Sequence, residues 1–91
     1  MTLFDIINVE DSVLLRGRLE GDFKEAELSY YGLGSLDELK QALGKGYRAN
    51  LYVLDGNFPE KEGSKKVLPL AEKAIIEIRK VNSQASITLF S

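Results

Sequence analysis

Four short apolar runs alternate with three amphipathic stretches along this chain, and that alternation constrains its fold more than any other feature. The runs "LFDIINV" (3–9), "ANLYVL" (49–54) and "SITLF" (86–90) are rich in leucine, β-branched and aromatic residues. Polar or turn residues bound each of them, as expected of buried strands. A fourth run, "AELSYY" (26–31), alternates polar and apolar residues and reads as an edge strand.

The stretches between them have helical period. In "SLDELKQALGKG", Ser35 and Glu38 have capping-box spacing, Leu36, Leu39 and Leu43 share a face, and Gly44 and Gly46 supply the stop. In "PLAEKAIIEIRKVN", Pro69 suits a first helical position, and Ala71, Ala74, Ile75 and Ile78 form an apolar stripe. A helix over about 12–22, "SVLLRGRLEGD", has Leu15 and Leu19 on one face and Gly17 in its interior. The order β-α-β-α-β-α-β predicts an α/β fold, a mostly parallel sheet with right-handed crossovers and helices on its faces. Residues 1–91 are expected to form one domain, with no internal repeat or linker.

Composition removes several function classes. The chain has no cysteine and no histidine, which excludes disulfides and thiol chemistry and leaves any metal site to oxygen ligands. A net charge of −2 gives no electrostatic case for nucleic acid or an anionic membrane. No apolar run nears the ~20 residues that span a bilayer. The start "MTLFDIINVED" has two acids and no basic flank, unlike a secretory leader, so a cytoplasmic location is expected.

Ligands of open α/β sheets bind beyond the carboxyl ends of the strands, which points to residues 8–12, 55–68 and 91. Acids stand there. The first strand runs into Glu10 and Asp11, and the third ends at Asp55, followed by the irregular stretch "GNFPEKEGSKKVL" (56–68). Three carboxylates at one sheet end repel one another unless a cation neutralises them, and Mg²⁺ suits such a set. A carboxylate is also a nucleophile able to form an acyl phosphate. Equally, Asp11 or Ser12 could cap the next helix, and Asp55-Gly56 could be a turn.

These residues, in this order, resemble the receiver domain of two-component response regulators. "IINVEDSVLLRGRLEG" is similar to the family's first strand, acidic pair and first helix. "LYVLDGNFP" is similar to the third strand and its Asp-x-x-x-Pro turn, here Asp55 to Pro59, and "ASITLFS" to the fourth strand with its terminal hydroxyl residue. The resemblance implies a flavodoxin-like three-layer α/β/α fold of strand order 2-1-3-4. It implies that Asp55 accepts a phosphoryl group, and that Glu10, Asp11, Asp55 and the backbone carbonyl of Asn57 hold Mg²⁺. Ser91 would then contact the phosphoryl oxygens, with a histidine kinase or phosphotransfer protein as donor. Such a domain is a phosphoacceptor rather than a turnover enzyme.

The chain departs from the family after its fourth strand: the last βα unit is absent, and with it the family's fifth-strand lysine. Lys61, Lys65 and Lys66 in the long loop are the candidates to replace it. The strand at 86–90 becomes an edge, which predicts a homodimer through residues 86–91. Two further functions follow: a pseudo-receiver that binds or oligomerises without phosphotransfer, and a strand-end aspartate hydrolase. The hydrolase requires a second aspartate two residues on, where this chain has Asn57.

Overall fold

The computed structural model describes residues 1–90, and Ser91 lies outside the described residues. Nine elements follow in order: β1 (Thr2–Val9), α1 (Val13–Glu25), β2 (Tyr30–Leu33), α2 (Leu36–Gly44), β3 (Tyr47–Asp55), β4 (Phe58–Pro59), β5 (Val67–Leu68), α3 (Ala71–Val81) and β6 (Ser86–Phe90). Four of the strands form one parallel sheet of order β2-β1-β3-β6, the expected 2-1-3-4 arrangement of the main strands. Helix α1 packs by β2 on one face, and α2 and α3 pack together on the other. The fold is thus the expected three-layer α/β/α.

The core lies on the α2/α3 side. Ile7, Val9, Tyr52 and Leu54 of the two central strands are buried there against Leu36, Leu39, Ala74 and Ile78. Phe4 and Ala49 join the same cluster although each lies three residues from Ile7 or Tyr52. Strict alternation therefore slips between them, where Asp5 and Asn50 face each other with no ladder pair between Phe4↔Ala49 and Ile6↔Leu51. Asp5 uses the break to tie β1 to β3 and to the residue just before β2. Its Oδ2 accepts from the Ser29 amide (2.8 Å) and hydroxyl (3.1 Å), and its Oδ1 from Asn50 Nδ2 (3.4 Å).

Three boundaries differ from the sequence reading, each for a local reason. Helix α1 runs to Glu25, and the chain then turns through Glu27, whose φ of 63° is left-handed. The Leu28 amide bonds the Phe23 carbonyl and the Glu27 amide bonds that of Lys24, the paired bonds of a Schellman ending. Residues 26–29 are consumed by that ending, so the second strand starts at Tyr30 rather than 26. Pro69 stands one residue before the N-cap of α3, Leu70, instead of at the first helical position. The stretch 56–68 contains a small antiparallel hairpin, β4 with β5, pinned by the fully buried Phe58.

The capping box of α2 forms. The Glu38 amide donates to Ser35 Oγ (3.2 Å), and Glu38 Oε1 accepts from the Ser35 hydroxyl (3.0 Å) and the Gly34 amide (3.2 Å). On the opposite face α1 buries none of its side chains fully. Strand β6 is an edge, paired only with β3, and Leu89 and Phe90 are 60% and 44% exposed. Among the described residues no helix is long and apolar enough to cross a membrane.

Candidate functional site

The parallel register brings the ends of β1 and β3 level: Val9 pairs with Leu54, so Glu10, Asp11 and Asp55 emerge side by side. One carboxylate oxygen from each of the three lies within 4.8 Å of the others. Glu10 is buried, Asp55 half-buried and Asp11 exposed, so the cluster opens to solvent on one side.

Each acid is held differently. Glu10 is fixed at three points. Its amide donates to the Leu33 carbonyl (2.8 Å), its carbonyl accepts from Arg16 Nη1, and its carboxylate Oε2 accepts from the Ser12 amide (3.0 Å). Burial pushes the Glu10 carboxyl above the usual range against the pull of the Ser12 hydrogen bond, and the charges of Asp55 and Asp11 push it further. Ser12 caps α1: its hydroxyl accepts from the Leu15 amide (3.1 Å), which leaves Asp11 free for the cluster. Asp55 Oδ1 accepts from the Gly56 amide (2.7 Å), so this aspartate shapes a local turn and also offers an oxygen to its neighbours.

The donor set fits a hard divalent cation. It consists of oxygens alone, within coordinating distance of one another, and a cation there offsets the acidic charges that add to the effect of burial on Glu10. Asn57 follows in the exposed turn after Asp55, and Pro59 is buried, paired with Val67 across the hairpin. Lys61, Lys65 and Lys66 are exposed and form no ion pair with the acids, since the one salt bridge among the described residues joins Lys80 to Glu77. Ser91 lies outside the described residues; the residue before it, Phe90, pairs with Asp55.

Beside the acids is a cleft of about 380 Å³, bounded by Asp11, Arg16, Glu38, Pro59, Glu62 and Ser64. Arg16 is the residue that sequence reasoning passed over. It stands one turn into α1, and its bond to the Glu10 backbone depends on β2 lying alongside, which no local motif announces.

No family model matches the chain, and no curated protein is significantly similar to it in sequence. Among solved structures it is similar to a LuxR family DNA-binding response regulator from Silicibacter pomeroyi, with a TM-score of 0.68 at 14% identity. The match covers 98% of this chain and 62% of the other, so the chain spans less than two thirds of its neighbour's length. At that identity the likeness establishes the shared fold.

Proposed function

We propose that this chain is a receiver-like signalling domain that takes a phosphoryl group on Asp55, with Mg²⁺ held by Glu10, Asp11, Asp55 and the backbone carbonyl of Asn57. The observation that carries the reading is the convergence of three strand-end carboxylates within 4.8 Å on a receiver-like fold. The metal supplies charge neutralisation for the carboxylates and the incoming phosphoryl oxygens. The chain supplies the nucleophile. Gly56 holds Asp55 Oδ1, leaving Oδ2 to bond the phosphorus of an acyl phosphate or phosphohistidine donor. The bond from phosphorus to the donor's oxygen or nitrogen breaks, and the donor leaves with that electron pair. A histidine kinase or phosphotransfer protein is the partner this chemistry calls for. Ser91, next after the residue paired with Asp55, is assigned to the phosphoryl oxygens.

Intact mass after incubation with acetyl phosphate and Mg²⁺ tests the reading. A single phosphoryl adduct on the wild type and none on Asp55→Asn supports it. No adduct on folded protein rejects it in favour of a second reading, a pseudo-receiver that acts through protein contacts. That reading draws on the uncharged, exposed β6 edge and on the lack, among the described residues, of a lysine paired with the acids.

A further inference from the structure

Arg16, Gly32 of β2 and Gly34 just after it form a device that bears on the acid cluster without belonging to it. The Arg16 side chain leaves α1, crosses the end of β2 and donates from Nη1 to the Glu10 carbonyl. Its path is cut by the absence of side chains. A Cβ on Gly34 would stand 2.5 Å from Arg16 Nη1, and one on Gly32 would stand 3.2 Å from Arg16 Cδ and 2.9 Å from the Tyr30 ring. Neither glycine has a positive φ, so backbone freedom does not explain them. Space for the guanidinium does at Gly34, and space for the Tyr30 ring and the Arg16 stem does at Gly32.

We propose that Arg16, seated in the groove over Gly32 and Gly34, is a positioning residue that locks the β1–α1 turn and so aims Glu10 and Asp11 at the cation site. The inference deepens the Mg²⁺ part of the functional reading and rests on it for the ion's identity. The physical case is one of over-determination. Strand β1 ends at Val9, and the turn from Glu10 to Ser12 has no ladder of its own. The Glu10 amide is held by Leu33 and, among the described residues, the Glu10 carbonyl only by Arg16. Releasing the carbonyl frees the peptide plane joining Glu10 to Asp11, the two residues whose carboxylates must converge. A guanidinium held beside Gly34, with its stem passing Gly32, fixes that plane better than a flexible ammonium. Partners behind first ligands commonly change metal affinity by about 10–100-fold.

The test separates the clamp from the metal. Amide hydrogen exchange, read by NMR on the metal-free protein, follows Glu10 and Ser12, whose amides bond Leu33 and the Glu10 carboxylate. Arg16→Ala should speed exchange at both by about tenfold or more while β3 amides stay protected. Gly34→Ala, which keeps the charge but blocks the groove, should do the same, and Arg16→Lys should recover part of the protection. Arg18→Ala, an exposed neighbour on α1, should change nothing. Calorimetric titration with Mg²⁺ should then show affinity about tenfold weaker in Arg16→Ala than in the wild type. Wild-type exchange at Glu10 and Ser12 in folded Arg16→Ala overturns the clamp. Faster exchange with unchanged Mg²⁺ affinity overturns its link to the ion. A wild type that binds no Mg²⁺ overturns the ion's identity, while the exchange result still decides whether Arg16 holds the turn.

Discussion

Glu27 occupies after α1 the place that Gly46 occupies after α2. Each stands one residue beyond the helix cap in the left-handed region, with φ of 63° and 88°. Glycine meets that conformation without cost, whereas a residue with a Cβ is destabilised by about 1–2 kcal/mol. Glu27→Gly is therefore expected to stabilise the protein by about 1 kcal/mol, the strain relieved being partly offset by a freer unfolded chain. Gly46→Ala is expected to destabilise it by about 1 kcal/mol, since Met1 Cα at 3.7 Å leaves room and only the backbone objects. Urea unfolding of the two variants beside the wild type reads both signs. A Glu27→Gly midpoint at or below that of the wild type would refute the account.

Much of the fold was legible because burial writes itself as period. Strands β1, β3 and β6 carry apolar runs, α2 and α3 carry stripes, and Ser35 with Glu38 marks a helix start that the structure reproduces. The cluster was legible too, as acids placed where strands stop. What escaped lacked a repeating signal. The Schellman ending of α1 bears Glu27 where a glycine would announce it, so β2 was read four residues early. The β4–β5 hairpin has two residues per strand, too short for a period, and is fixed by Phe58 in the core. Asp5 and Asn50 interrupt alternation in two strands at once, and Arg16 meets Glu10 only when β2 supplies the groove. The first two are local turns with no repeat to read, and the last two are contacts between segments that meet only in the fold.

Glu10 is expected to weaken the metal-free fold at neutral pH. Its folded pKa is raised above the ordinary 4.5, first by burial and then by its acidic neighbours. Between 4.5 and the raised value the folded state binds more protons than the unfolded one, so stability falls as pH rises through that window and stays lower above it. Glu10→Gln removes the penalty while keeping an acceptor for the Ser12 amide. Without metal its urea midpoint should exceed that of the wild type at neutral pH, the gap closing as pH drops below 4.5. Saturating Mg²⁺ should raise the wild-type midpoint and leave the variant's nearly unmoved. A Glu10→Gln protein less stable than the wild type at neutral pH would show that the carboxylate is stabilised where it sits.

Tyr30 should titrate well above the ordinary phenol value. Its hydroxyl donates to Asn8 Oδ1 (2.7 Å), and the buried Asn8 passes the connection on through Nδ2 to the Val53 carbonyl (2.9 Å). Burial, more than the opposing charge of Arg16, pushes the phenol up to about 12 from 10.0. Because the folded value is the higher one, this contribution is intact below pH 10.0 and is lost as pH climbs toward about 12. Ultraviolet titration of phenolate should show a late step that Tyr30→Phe abolishes. The same variant strands Asn8 Oδ1 and should cost about 1–3 kcal/mol. A wild-type titration that Tyr30→Phe leaves unchanged above pH 10.0 would count against the network.

The β6 edge carries the remaining expectation, self-association. Ser86–Phe90 holds no charge and no proline, the usual protections of an open edge, and its outer backbone groups have no neighbouring strand. Leu89 and Phe90 add apolar surface at 60% and 44% exposure. A second copy laid along β6 would pair those groups and cover those side chains at once. Sedimentation should therefore show a concentration-dependent dimer. Leu89→Lys, which puts a charge on the edge at a position whose side chain is already largely in water, should shift it to monomer with little loss of stability. Wild-type protein that sediments as a clean monomer at high micromolar concentration would rule the pairing out. A dimer indifferent to Leu89→Lys would move the interface away from β6.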